Sequence, residues 1–112
     1  MGSSLDELDP SIREAAKYLV ELARQAGLAP RVTSVYRSPL KQKKLYDAYI
    51  SGRSKLPAAK PGKSQHEKRL AFDVILDPYE ALKELGEIWE SWGGTWGGRF
   101  KDPVHFDYRP KK

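Results

Sequence analysis

Residues 64–76 read SQHEKRLAFDVIL, and the second half of this stretch has the period-two alternation of a β-strand. One face of the strand carries large apolar side chains, which are Leu70, Phe72, Val74 and Leu76. The opposite face carries Ala71, Asp73 and Ile75. The alternation therefore predicts a strand with its first face on the core and with Asp73 on the other surface.

The last strand is predicted over residues 104–108, which read VHFDY. Its core face carries Val104, Phe106 and Tyr108. His105 and Asp107 face the other way. Asp73 and His105 are thus both expected on the surface of the sheet opposite the core. His66 lies in the loop that enters the earlier strand, so it can fold over that same surface.

Three start signals predict three helices, because Asp or Ser caps a helix N-terminus and Pro suits its first turn. The signals are Asp9-Pro10, Ser38-Pro39 and Asp77-Pro78. Apolar side chains then recur at helical spacing and are expected to face the core. They are Ile12, Ala16, Leu19, Ala23 and Ala26, then Leu45, Ala48 and Tyr49, then Leu82, Leu85, Ile88 and Trp89. Gly27 and Gly52 are expected to end the first two helices.

The remaining segments complete a small α+β fold. Residues 31–36 are rich in β-branched side chains and predict a strand, and residues 52–64 predict a long surface loop. The Gly pairs at 93–94 and 97–98 predict turns. We expect one domain over residues 1–112, with about three helices and a small, mainly antiparallel sheet. We expect that the polar N-terminal segment, residues 1–8, can be disordered.

Composition limits the function classes. The chain has no Cys and a net charge of +5, which favours an anionic partner. Much of the charge surrounds His66, in Arg53, Lys55, Lys60, Lys63, Lys68 and Arg69. A solvated loop face, nucleic acid and an anionic wall polymer all fit this charge, but no nucleic-acid-binding motif accompanies it. No apolar stretch approaches the ~20 residues of a membrane span, and no secretory signal is visible. We expect no membrane insertion and a monomer.

Both histidines of the chain stand in metal-ligand spacing. Two imidazoles and one carboxylate make a three-ligand zinc site with an open position for water, as hydrolytic zinc enzymes have. His66, Asp73 and His105 are the predicted ligands of Zn²⁺. A further carboxylate must take the proton of the attacking water, and Asp102 is the best candidate. Asp107 and Glu67 are the alternatives, and ordinary surface pairs of His with Asp are the alternative to a metal site.

The spaced motifs resemble those of the zinc D-alanyl-D-alanine carboxypeptidase and L-alanyl-D-glutamate peptidase family. They run from about Thr33 to Tyr108. Ser64, His66, Ala71 and Asp73 match its first motif, and Asp102 and His105 match its second. Tyr36-Arg37-Ser38, Gln42, Pro61-Gly62-Lys63-Ser64 and Trp92-Gly93-Gly94 match further elements. The resemblance implies a peptidase that acts on bacterial peptidoglycan, not on nucleic acid.

The resemblance also implies roles for the residues. His66, Asp73 and His105 would bind zinc, and Asp102 would be the catalytic base. Arg37 would hold a substrate carboxylate or polarise the scissile carbonyl, with a surface salt bridge as the alternative. Ser64 and Gln42 would support substrate, and a turn cap is the alternative for Ser64. The tryptophans are expected in the core or the cleft wall rather than as sugar platforms. They are Trp89, Trp92 and Trp96.

Asp102 favours one reaction of the family. Endopeptidases that cut the L-alanyl-D-glutamate bond usually have Asp at the base position, whereas the carboxypeptidases have Glu. We therefore expect an endolysin-like L-alanyl-D-glutamate endopeptidase, made in the cytoplasm and released to the wall on lysis. A D-alanyl-D-alanine carboxypeptidase and a non-catalytic wall-binding protein of the same fold are the alternatives. Arg69 and Val35 stand where the family usually has Gly. We expect either a different turn at Arg69 or an extra charge at the rim of the cleft.

Overall fold

The computed structural model describes residues 4–110. Its helices are α1 (Pro10–Gln25), α2 (Pro39–Ile50) and α3 (Leu82–Ser91). Its strands are β1 (Arg31–Ser34), β2 (Ala71–Ile75), β3 (Thr95–Trp96) and β4 (His105–Asp107). Short 3₁₀ turns cover Leu5–Glu7, Tyr79–Ala81 and Gly97–Phe100. None of the helices in this part of the chain has the length and apolar character to cross a bilayer.

The four strands form one sheet in the order β1-β2-β4-β3, and every neighbouring pair is antiparallel. The α+β class, the three helices and the antiparallel sheet are thereby confirmed. The central pair sets the geometry of the site, because Asp73 on β2 lies directly opposite His105 on β4. Residues opposite each other on antiparallel strands have neighbouring side chains on one face of the sheet.

The apolar face of the sheet is covered by α1 and α3. Phe72 stacks on Phe106 with ring centroids 5.4 Å apart, and its edge meets Trp89 at 5.2 Å. The predicted start of α1 is confirmed, since the Asp9 side chain accepts the backbone N–H of Ser11 at 3.0 Å. Four of the five apolar residues predicted for α1 are buried, whereas Ala26 is exposed just beyond the last turn.

The predicted core face of α2 is wrong. Leu45 and Ala48 are only half-buried, and Tyr49 is 40% exposed. The buried residue of this helix is instead the polar Gln42. The physical reason is the position of α2, which lies beside the polar surface of the sheet and contributes no residue to the main apolar cluster of the described chain.

Several boundaries also differ from the prediction. The strand expected over 31–36 ends at Ser34, and β3 forms where only turns were expected. In the opening segment, Leu5–Glu7 form a 3₁₀ turn and Leu8 is buried in the core. Its first three residues lie outside the described part. Trp89 and Trp96 are buried, as expected, whereas Trp92 is 43% exposed.

Candidate active site

Three predicted ligands converge on the polar surface of the sheet. Asp73 and His105 are cross-strand neighbours, and His66 reaches them from the turn that precedes β2. His66 Nε2 lies 3.3 Å from Asp73 Oδ1, and His105 Nδ1 lies 3.4 Å from the same oxygen. One ligand atom from each residue falls within 4.8 Å of the others. The three side chains are therefore close enough to share one metal ion.

Neighbouring acceptors fix which nitrogen of each imidazole is free. His66 Nδ1 lies 2.8 Å from the Val35 carbonyl oxygen, which can only accept a hydrogen bond. His105 Nε2 lies 2.6 Å from the Asp107 carboxylate, which also accepts. Each of these nitrogens must therefore donate, so His66 Nε2 and His105 Nδ1 are the nitrogens that face Asp73 and that can bind a metal when they are unprotonated. Such partners commonly orient metal-bound histidines.

The centre of the cluster needs a positive charge. Asp73 Oδ1 is buried and makes no hydrogen bond, although His66 Nε2 and His105 Nδ1 lie 3.3 and 3.4 Å from it. A buried carboxylate oxygen without a partner is costly. Two imidazole lone pairs and this oxygen form the donor set that Zn²⁺ binds in open catalytic sites. The residues present thus fit a zinc ion.

The charges shift three pKa values in the cluster. Burial raises the pKa of Asp73, but the two imidazoles outweigh burial and hold that pKa well below its usual range. Burial lowers the pKa of His105, but Asp107 and Asp73 outweigh it and raise the pKa to about 9. Burial and then the Asp73 charge raise the pKa of Asp102 above its ordinary value. Without a metal, a proton on His105 supplies the positive charge between the carboxylates.

The turn that carries His66 is built by hydrogen bonds to its backbone. The Ser64 hydroxyl accepts the His66 N–H at 3.2 Å, and the His66 carbonyl accepts the N–H of Arg37 at 3.2 Å. Ser64 therefore acts as a turn cap, and as a residue of the cavity wall. Glu67 points away, because its carboxylate accepts the N–H of Gly62 at 2.9 Å. That contact removes Glu67 as a candidate base.

Arg37 and Gln42 form a buried polar pair beside Asp73. Arg37 donates to Gln42 Oε1 at 2.9 Å and to Ser34 Oγ at 3.3 Å, and lies 3.8 Å from Asp73 Oδ2. Gln42 in turn donates to the Ala59 carbonyl at 2.7 Å. Burial lowers the pKa of Arg37, and the nearby carboxylates oppose this. Arg37 thus holds the second oxygen of Asp73 and still lines the cavity.

Asp102 lies in a tight loop between β3 and β4. The loop is closed by the Asp102 N–H, which donates to the Gly97 carbonyl at 2.8 Å, and by the Trp96 indole, which donates to the Pro103 carbonyl at 2.8 Å. Gly97 has no room for a side chain, because a Cβ would lie 2.2 Å from the Asp102 carbonyl oxygen. Asp102 is half-buried and faces the same cavity as the three candidate ligands.

A cavity of about 840 Å³ joins these residues. All the predicted site residues line it, which are Arg37, Gln42, Ser64, His66, Asp73, Asp102 and His105. Prediction from sequence missed other wall residues, which include Tyr79, Phe100 and Arg109. The period of two that puts His105 and Asp107 on one face also reaches Arg109, so the signal was present for that residue.

Comparison with known proteins identifies the family. Residues 5–96 match VanY, described as D-alanyl-D-alanine carboxypeptidase. The chain belongs to this family of zinc peptidoglycan peptidases. A search of curated proteins found no match.

Solved structures of VanY and its relatives have the same fold. The vancomycin-resistance D,D-pentapeptidase VanY in complex with Zn(II) is 24% identical, with a TM-score of 0.69 over 90% of this chain and 72% of that one. The LD-carboxypeptidase LdcB is 23% identical, with a TM-score of 0.67 over 94% of this chain. The L-Ala D-Glu endopeptidase ChiX of Serratia marcescens is 19% identical, with a TM-score of 0.63 over 94% of this chain and 83% of that one. The chain spans 60% of the length of the LdcB chain.

Arg69, for which the resemblance predicted Gly, has a glycine-like backbone. Its φ is +63°, in the left-handed region. Its guanidinium stacks over the Tyr36 ring at 4.1 Å and donates to the Glu7 carbonyl at 3.2 Å. The backbone at Arg69 thus has a conformation that Gly favours, and its exposed side chain is not among the residues that line the cavity.

Proposed function

We propose that the protein is a zinc-dependent L-alanyl-D-glutamate endopeptidase that acts on peptidoglycan stem peptides. One observation carries the proposal. Three potential metal-ligand atoms converge within 4.8 Å of one another, one of them on the buried carboxylate of Asp73, at a cavity that Asp102 and Arg37 also line. His66, Asp73 and His105 would hold the zinc ion. When bound, zinc polarises the scissile carbonyl and lowers the pKa of a water towards ~7.

The residues around the ion would divide the remaining work. Asp102 would accept the proton of the attacking water and pass it to the leaving amine, and its raised pKa suits a group that must both take and give a proton. Arg37 would keep Asp73 oriented through Oδ2 and offer its remaining N–H groups to the substrate carbonyl. Asp107 would hold the His105 ring in its metal-binding tautomer.

The choice of bond rests on Asp102. Its carboxylate matches the endopeptidase members that the sequence motifs resemble, whereas the fold is shared by the endopeptidase ChiX and by the carboxypeptidases VanY and LdcB and favours neither bond. A D-alanyl-D-alanine carboxypeptidase is the second candidate, because the matched family carries that description. The zinc ligands and the base would serve both reactions.

The test is product analysis on purified peptidoglycan, with chelator and with zinc added back. New D-glutamyl N-termini, detected by mass spectrometry, lost with chelator and restored by zinc, would support the endopeptidase. Free D-alanine would assign the carboxypeptidase reaction instead. The Asp102→Asn variant is the control for contaminating hydrolases. Absence of any zinc-dependent product on walls of several chemotypes would contradict a peptidase and leave a wall-binding protein.

A further inference from the structure

The two candidate reactions release leaving groups with one feature in common, and the inference below rests on the proposed function. In the L-alanyl-D-glutamate bond, the peptide continues through the γ-carboxyl of glutamate, so the α-carboxylate is free. In a terminal D-alanyl-D-alanine, the last residue also has a free α-carboxylate. In both substrates the leaving nitrogen is therefore bonded to a carbon that carries a carboxylate. A cation near the leaving group would stabilise either substrate in the site.

Arg109 is a cation already oriented at the cavity wall. Its Nε and Nη2 donate to the two oxygens of Asp107 at 3.2 and 3.1 Å. Its guanidinium also lies over the Phe100 ring, 5.7 Å from the centroid. These contacts restrict the rotation of the side chain, yet 58% of it remains exposed. Arg109 can thus bind an anion with little loss of side-chain freedom.

The position of Arg109 relates it to the metal ligands. The Asp107 carboxylate accepts hydrogen bonds from both Arg109 and His105, whose Nε2 lies 2.6 Å from it. The Phe100 ring beneath Arg109 also lies against the His105 ring, with centroids 5.8 Å apart. Arg109 is therefore one carboxylate away from the ion site, on the side of His105. Because Arg109 and the candidate ligands line the same cavity, a substrate held at the ion can present to Arg109 a carboxylate that is two bonds from its leaving nitrogen.

Arg37 is less suited to the same task. Only 15% of its side chain is exposed, and its guanidinium already contacts Gln42, Ser34 and Asp73. Asp107 cannot neutralise Arg109 fully, because it also carries the bond to His105. Two further cations, Lys63 and Lys101, line the cavity and add to its positive potential.

We propose that Arg109 is a specificity-determining residue that binds the free α-carboxylate of the leaving group. The protein therefore cleaves stem peptides that contain D-glutamate and discriminates against those whose α-carboxyl is amidated, as D-isoglutamine. A guanidinium meets a carboxylate in two charge-assisted hydrogen bonds, whereas a primary amide offers one acceptor and a competing donor.

The test compares two synthetic peptides, L-Ala-γ-D-Glu-L-Lys and its α-amide, as substrates of the zinc-loaded protein. We expect wild type to favour the free carboxylate by about 10- to 100-fold in kcat/KM. Arg109→Gln should remove most of this preference by slowing cleavage of the carboxylate peptide alone. Arg53→Gln is the matched control, because Arg53 is exposed and does not line the cavity. A peptide that ends in D-Ala-D-Ala is assayed in parallel. Its cleavage, slowed in Arg109→Gln, would show that Arg109 binds the terminal carboxylate of D-alanine instead of the α-carboxylate of D-glutamate.

Each outcome bears on a different claim. Cleavage of neither stem peptide nor the D-Ala-D-Ala peptide would contradict the proposed function itself. Equal cleavage of the carboxylate and amide peptides by wild type would overturn the role of Arg109 and leave the proposed function intact. An equal loss on both peptides in Arg109→Gln, together with weaker zinc binding, would show that Arg109 only positions Asp107. If that variant does not fold, Arg109→Lys keeps the charge, and it should keep the preference at a reduced level. Complete loss of the preference in Arg109→Lys would contradict a contact that depends on the charge at this position.

Discussion

At the residue scale, two carboxylates beside the candidate ligands differ in environment, and the difference separates their roles. Asp107 is completely buried, and although burial raises its pKa, the bonds from His105 and Arg109 outweigh burial and lower it. Asp102 is half-buried at the cavity, where burial and the Asp73 charge raise its pKa. Asp107 thus remains an ionised hydrogen-bond acceptor, and Asp102 is the carboxyl group that can exchange a proton.

Asp102→Asn should therefore abolish most catalysis and leave the zinc site intact. General base catalysis contributes about 10²- to 10⁴-fold, so kcat should fall by roughly that factor. Zinc content, measured by atomic emission after dialysis, should equal that of wild type, because Asp102 is not one of the three candidate ligands. Near wild-type turnover in this variant would assign the base to another residue.

Zinc affinity should increase with pH. Burial lowers the pKa of His105, but Asp107 and Asp73 raise it to about 9 in the metal-free protein, so both ring nitrogens are protonated and the ring is positively charged at neutral pH. Zinc must displace the Nδ1 proton, and affinity should rise by about tenfold per pH unit between pH 7 and 8.5. Titration calorimetry in buffers of different ionisation enthalpy should detect about one proton released per zinc bound. A pH-independent affinity would show that His105 is already neutral or is not a ligand.

At the element scale, the turn from Ser64 to Leu70 carries both a ligand and a strained residue. Arg69 has a positive φ, which costs a residue with a Cβ about 1–2 kcal/mol. The stack on Tyr36 and the bond to the Glu7 carbonyl compensate part of this cost. The turn can therefore hold a left-handed backbone at a residue that is not Gly.

A pair of substitutions at position 69 tests that account. Arg69→Ala loses the contacts and keeps the strain, whereas Arg69→Gly loses the contacts and relieves the strain. The Gly variant should be more stable than the Ala variant by about 1 kcal/mol in urea denaturation. Both should retain wild-type activity, because Arg69 does not line the cavity. Equal stabilities would argue against a left-handed backbone at this position.

The loop from Gly97 to Asp102 is the second element that the site depends on. A Cβ at Gly97 would lie 2.2 Å from the Asp102 carbonyl oxygen and 2.7 Å from the His105 Cβ. Gly97→Ala should therefore displace the candidate base Asp102 or the candidate ligand His105. It should lower kcat/KM and destabilise the fold by roughly 1–3 kcal/mol. Gly52→Ala is the control, because it adds strain at φ +80° but meets nothing within 4 Å. It should lose some stability and keep activity, and the same activity in both variants would contradict the close packing at Gly97.

At the scale of the whole molecule, the ion would join segments that are far apart in the chain. His66 belongs to a surface turn, and Asp73 and His105 belong to neighbouring strands whose positions differ by about thirty residues. An ion that binds only the folded state, at a free concentration a thousand times its Kd, stabilises that state by about 4 kcal/mol. Zinc should therefore raise Tm by at least about 10 °C over the chelated protein, measured by calorimetry. In His105→Ala this zinc-dependent shift should disappear, and an equal shift there would place the stabilising ion elsewhere.

The sequence alone determined the fold class and predicted which residues would line the candidate site. The alternation in β2 and β4 separates core residues from Asp73 and His105, because side chains of a strand alternate between its two faces. Helix starts at Asp9 and Ser38 follow from local capping, which depends on neighbouring residues only. The same local rules could not find the real environment of α2, where Gln42 is buried in place of apolar residues.

Only the tertiary structure decided which atoms face each other. The register that pairs Asp73 with His105 depends on contacts between strands, and the free nitrogen of His66 depends on the Val35 carbonyl, a group without any sequence signature. The tertiary structure also turned Glu67 away and brought Arg109 to the cavity wall. The physical reason is that periodicity fixes the face on which a side chain lies, whereas hydrogen-bond partners from distant segments fix its orientation and charge.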